Sequence, residues 1–150
     1  MLVRLLAAVV LGIASTPLWA ATCTTTVEAN DVMQFNVKNI DVPKSCATFT
    51  VTLKHTGKLA RNVMGHDWVL TTAADKAGVD ADGIKAGLDN NYLKPGDTRV
   101  LAHTKVIGGG EEAQVSFKPS ILKAGTPYVF FCSFPGHSGI MHGTVTLTGD

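Results

Sequence analysis

Four stretches of this chain alternate apolar and polar side chains with a period of two. Met33, Phe35 and Val37 are interleaved with Gln34, Asn36 and Lys38, and Phe49, Val51 and Leu53 with Thr50, Thr52 and Lys54. Val115 and Phe117 sit beside Gln114 and Ser116, while Val145 and Leu147 alternate with Thr144, Thr146 and Thr148. A strand points successive side chains to opposite faces, so each run predicts a strand with one face on a core. Trp68-Val69-Leu70 and Tyr128-Val129-Phe130-Phe131 are continuously apolar and predict more deeply buried strands. Pro95-Gly96-Asp97, Gly108-Gly109-Gly110 and Gly125-Thr126-Pro127 supply turn chemistry between the runs. Short strands at this spacing predict an all-β sandwich or barrel. One segment differs. Ala73 to Leu88 is rich in helix formers and carries Ala77, Ile84 and Leu88 at helical offsets. It predicts a short helix, broken near Gly78 and Gly83 and inserted as a flap between strands.

The first 20 residues have a different character. Arg4 is the only charge between Met1 and Ala20, and Leu5 to Ile13 is uniformly apolar or glycine. A basic start, a short apolar run and a small-residue Ala20-Ala21 junction have the layout of a secretory signal peptide. The run is well short of the roughly 20 residues that span a bilayer. Residues 1–20 are therefore expected to be removed, leaving a single domain of residues 21–150 with 12 basic and 12 acidic side chains. Such a neutral domain, with no long charge run, is a poor match for binding nucleic acid through its phosphates. The full length of 150 residues is enough for one core and too short for a catalytic barrel. Export implies a compartment where thiols pair. Cys23, Cys46 and Cys132 allow three alternative single bridges, and each leaves one thiol over.

The most specific chemistry lies in Cys132-Ser133-Phe134-Pro135-Gly136-His137-Ser138-Gly139-Ile140-Met141. Cys, His and Met stand here at C-x4-H-x3-M spacing in a Pro- and Gly-containing loop that follows a strand. A thiolate and a thioether are soft ligands and imidazole is borderline, a set that suits copper in both of its common oxidation states. Singly, His137 reads as a loop histidine, Met141 as a core filler and Cys132 as a buried thiol. Jointly, they read as a metal site. Two imidazoles, one thiolate and a distant thioether form the ligand set of blue-copper electron transfer. The second imidazole has four candidates: His55, His66, His103 and His142. His66 is preferred because it opens an apolar strand, and Gly65 before it would let a backbone carbonyl approach the metal.

On these residues the chain resembles the azurin group of the cupredoxin family over nearly its whole exported length. The resemblance is carried by Asn30-Asp31-Val32-Met33-Gln34-Phe35-Asn36, Asn62-Val63-Met64-Gly65-His66, Ala102-His103-Thr104-Lys105 and Phe130 through His137. It implies a Greek-key sandwich with a helical flap, and one copper held by His66, Cys132 and His137. Met141 would be the distant axial sulfur, opposite the Gly65 carbonyl. It implies a Cys23–Cys46 disulfide. It further implies an apolar docking patch of Met33, Leu59, Val63, Met64, Phe134, Pro135 and Gly136. The expected function is periplasmic electron transfer between Cu(I) and Cu(II), with partners such as c-type cytochromes or copper or haem reductases.

Two residues depart from the family pattern. Asp67 stands where azurins commonly have Asn, and a carboxylate accepts hydrogen bonds but does not donate them unless protonated. Its negative charge would favour Cu(II) and lower the potential if uncompensated. His142 follows the axial Met where Lys is familiar, and reads as a solvated surface residue. His55 alternates with Leu53 and reads as a satisfied core histidine, although the resemblance places it near the site, where it can couple protonation to redox state. His103 matches a surface histidine. Trp68 would be the only tryptophan left once Trp19 departs, and is expected in the core. Two rival functions remain: a copper-delivery protein, which commonly uses Met- or His-rich tracts not seen here, and a small copper enzyme, which needs an open coordination position or a second metal cluster.

Overall fold

The computed structural model describes residues 21–149, so the proposed signal segment lies outside the described residues. Eight strands form two sheets: β1 (Thr24–Ala29), β2 (Asn39–Pro43), β3 (Phe49–His55), β4 (Val69–Thr72), β5 (Ala102–His103), β6 (Glu112–Phe117), β7 (Tyr128–Phe131) and β8 (His142–Thr148). The smaller sheet runs β1-β3-β6 and the larger β2-β8-β7-β4-β5. Parallel pairs β1–β3 and β2–β8 stand in each sheet beside antiparallel neighbours. This is a β-sandwich, one of the two architectures the alternating runs predict and the one the resemblance implies as a Greek key.

The inner faces come directly from the period-two pattern. Phe49, Val51 and Leu53 are buried while Thr50, Thr52 and Lys54 are half-buried. They meet Ile40, Val42, Leu70, Phe130 and Val145 from the other sheet. Trp68 lies wholly inside, stacked 6.3 Å from Phe117 and 6.0 Å from Phe130 between ring centroids.

Residues 33–37 are not a strand. Their in-and-out burial alternates as expected, with Phe35 buried and Gln34 and Asn36 exposed, but the ladder is limited to one bridge between Ala29 and Phe35. The Asn30 side chain accepts from Val32 N–H and Gln34 N–H, and Met33 takes a left-handed φ of 55°. That local turn consumes the backbone donors a strand would use. The strands on either side, β1 and β2, carry the pairing instead.

A short helix α1 (Arg61–Met64) precedes β4, and α2 (Lys76–Ala86) lies between β4 and β5 as the expected flap. α2 runs through Gly78 and Gly83 without a break, contrary to the sequence expectation. Its buried face is also different: Val79 and Gly83 point inward, whereas Ala77 and Ile84 are exposed. Gly83 is needed for contact, since a Cβ there would stand 1.9 Å from the Tyr92 carbonyl oxygen. Cys23 and Cys46 form the disulfide, and Cys132 is free and buried.

Candidate metal centre

The C-x4-H-x3-M segment is the hairpin loop joining β7 to β8. Phe131 pairs with His142, and Cys132 N–H donates to the Met141 carbonyl at 3.0 Å, so the loop ends are pinned together. Inside it, the N–H groups of Ile140 and Met141 both donate to the His137 carbonyl, at 3.0 and 2.8 Å. Gly136 takes a φ of 84° at the tip, a left-handed conformation that suits glycine.

His66 reaches the same point from just before β4, whose Val69 pairs with Phe131 of β7. It follows α1 and forms a two-bond bridge with Ile107. Gly65 is tightly enclosed, because a Cβ would meet the Arg61 carbonyl at 2.3 Å and Val106 Cγ1 at 2.6 Å. Its carbonyl oxygen is 3.9 Å from Cys132 Sγ.

Three donor atoms converge. His66 Nδ1 is 3.7 Å and His137 Nδ1 3.5 Å from Cys132 Sγ, and ligand atoms of the three residues lie within 4.8 Å of one another. All three side chains are buried. His66 Nε2–H donates to the Asn30 carbonyl at 2.9 Å, which leaves a lone pair on Nδ1 facing the cluster. Burial pushes the His66 ring down to about 4, and also lowers His137. Burial raises the Cys132 thiol well above its usual value, aided by the charge of Asp67. Neutral imidazoles and a soft sulfur in a closed cage fit a copper ion by donor chemistry. Met141 is fully buried at the end of the loop.

Asp67 is wholly buried and joins the two ligand-bearing segments. Its carboxylate accepts from Ser133 N–H at 2.7 Å and from Ser133 Oγ at 2.5 Å. Burial raises its pKa to about 6, and the Ser133 bonds pull the other way. The sequence reading marked Asp67 but missed Ser133, whose place immediately after Cys132 was the available signal.

His55 is buried beside the cluster, its ring 4.5 Å from that of His66. Nδ1 accepts from Gly57 N–H and Nε2–H donates to the Met64 carbonyl, so it is the satisfied core histidine of the sequence reading. His103 and His142 are exposed on their strands. Of the expected patch, Leu59, Val63, Pro135 and Gly136 are exposed, Met33 and Met64 are half-buried, and Phe134 is buried against His137 with ring centroids 4.7 Å apart. Exposed Val32 and Ile140 were not anticipated as members of an apolar surface.

Fold and donor set together define a β-sandwich protein with a buried donor set suited to a soft metal. Comparison with known proteins narrows the class. Residues 21–148 match the model of the copper binding proteins, plastocyanin/azurin family. An azurin of Bordetella pertussis is 62% identical over 133 residues, covering 89% of each chain. An azurin of Pseudomonas aeruginosa is 56% identical over 147 residues, covering 98% of this chain and 99% of that one. The solved azurin Az-iso2 of Methylomonas sp. strain J superposes with a TM-score of 0.83 at 47% identity, covering 86% of this chain and all of that one. The chain belongs to the plastocyanin/azurin family of copper-binding proteins. Its cofactor is copper and its broad role is that of an electron-transfer cupredoxin.

Proposed function

We propose that the protein is an exported one-electron carrier of the periplasm, with residues 1–20 as its cleaved signal and 21–150 as the working domain. His66, Cys132 and His137 would hold the copper, with the Met141 thioether and the Gly65 carbonyl as further donors beside them. The observation that carries this reading is the buried convergence of two imidazole nitrogens and one thiol from segments 66 residues apart. Bound copper supplies a one-electron couple between Cu(II) and Cu(I).

The chain's own residues hold the cage. Asn30 fixes the His66 ring, and the Asp67–Ser133 pair ties the His66 segment to the Cys132 segment. A cage so bonded would hold the orientation of its donors around the metal. His137 sits beneath the loop tip, and Leu59, Val63, Met64, Met33, Phe134, Pro135 and Gly136 form the apolar patch around it. Such a patch suits brief contact with redox proteins, c-type cytochromes or copper and haem reductases among them. No helix of the described residues is long and apolar enough to cross a membrane. The protein acts as a carrier rather than an enzyme.

The test is the visible and EPR spectrum of the Cu(II)-loaded protein beside a Cys132→Ser variant. An intense thiolate band with narrow copper hyperfine splitting, lost in the variant, is expected. A pale spectrum indifferent to the substitution would refute the ligand set. A copper-delivery role would instead show rapid exchange of copper with an acceptor.

A further inference from the structure

The two imidazoles of the cluster are held very differently. His66 is bonded through both its ring and its backbone, by Asn30 and Ile107. Among the described residues, His137 has a single ring hydrogen-bond contact, the one with Cys132 Sγ, and otherwise depends on the loop that carries it. The tip of that loop is exposed at Pro135, Gly136, Gly139 and Ile140. Ser138, the residue after His137, is gripped from outside the loop. Its Oγ donates to Asp80 Oδ2 at 2.6 Å, and its carbonyl accepts from Lys76 Nζ at 2.8 Å. Lys76 and Asp80 are one helical turn apart on α2, and Val79 between them packs with Phe131, the residue before Cys132. The Lys76 ammonium also lies 5.5 Å from the Phe131 ring centroid. The flap thus touches both the root of the ligand loop and the residue beside its outermost imidazole.

We propose that α2 is a clamp on the metal-binding loop, with Lys76 and Asp80 as positioning residues that hold Ser138 and thereby fix the ring of His137. The inference rests on the copper reading above for its functional meaning, but the clamp itself is made of the chain's own contacts. Two bonds on one residue, one to its hydroxyl and one to its carbonyl, restrain both rotation and translation of the backbone that carries His137. Lys38 adds only a long contact of 3.4 Å to the Ile140 carbonyl. A ring so held keeps its nitrogen aimed at Cys132.

The experiment compares wild type with Asp80→Ala, Ser138→Ala, the double variant, Ser138→Thr and Asp82→Ala. Asp82 lies on the same helix but bonds Arg99 and Lys85, away from the loop. In metal-free protein, amide exchange at Ile140 and Met141 should quicken about fivefold to tenfold in the first two variants, the effect of losing one charge-assisted bond at a half-buried place. The double variant should add nothing further, Ser138→Thr should restore the wild-type rate, and Asp82→Ala should leave it unchanged. The nuclear Overhauser contact between the His137 and Phe134 rings should weaken in step. In Cu(II)-loaded protein, release to a chelator should quicken by a similar factor. Unchanged exchange, an equal effect of Asp82→Ala, or faster exchange with an unaltered ring contact would overturn the clamp. Absence of the blue band in wild type would strike the copper reading alone, since exchange and ring contact are read without metal.

Discussion

Asp67 shows how one residue's environment settles a role that its identity leaves open. Asn would accept from Ser133 N–H through Oδ1 and donate to Ser133 Oγ through its amide, freeing the hydroxyl proton for the Asn91 carbonyl it already faces at 3.2 Å. Asp67→Asn should therefore change stability by less than about 1 kcal/mol, whereas Asp67→Leu strands a buried N–H and should cost about 1–3 kcal/mol in denaturant melts. Asp67→Asn should also raise the copper reduction potential, because a buried negative charge is removed near a centre that loses charge on reduction. Voltammetry showing no rise would contradict that. Trp68 makes a second prediction at this scale. It is wholly buried, its indole nitrogen has no partner among the described residues, and its neighbours Phe117 and Phe130 are apolar. Its fluorescence should be strongly blue-shifted and move to longer wavelength on unfolding; emission typical of an indole in water in the folded protein would refute the placement.

Among the elements, α2 is where sequence periodicity was least informative. Helix formers predicted its existence, but Ala77, Ile84 and Leu88 suggested a face that Val79 and Gly83 occupy instead. A glycine carries no hydrophobic signal, although its missing Cβ is what lets the Tyr92 backbone approach. Gly83→Ala should thus destabilise by about 1–3 kcal/mol despite alanine's better helix propensity, as judged by thermal melting. Elsewhere on the flap, Arg99 bonds Asp82 at 2.8 Å and also Asp97, outside the helix, at 2.6 Å. Those bonds hold both carboxyls below the usual 3.8. A depressed folded-state pKa means that the stabilisation is complete above 3.8 and is lost as pH falls through the lowered values. Melting curves should show an acid-sensitive component below about pH 4 that Arg99→Met abolishes. The stretch 33–37 teaches the complementary lesson. Its burial pattern was legible, but the Asn30 turn that denies it a ladder depends on how backbone donors are spent locally, which periodicity does not register.

For the molecule as a whole, the Cys23–Cys46 bridge closes a 23-residue separation joining the start of β1 to the segment before β3. Its removal by paired Ala substitutions should cost about 3 kcal/mol of unfolding free energy, most of it by loosening the unfolded chain. Because the metal cluster is built from other segments, the blue spectrum should survive at temperatures below the lowered midpoint. Much of this protein was determined by sequence alone. Three of the four period-two runs became strands, β3, β6 and β8, since side chains on a strand must alternate. C-x4-H-x3-M in a glycine-bearing loop brings sulfur and imidazole together, since ten residues between two paired strands have few other ways to close. Tertiary structure decided everything that depends on register between distant segments. It brought His66, which the sequence already favoured, within 3.7 Å of Cys132, set Asp67 against Ser133 and placed Ser138 under α2. Those pairings follow from sheet order and helix docking, in which energies from many weak contacts across the whole core select one arrangement.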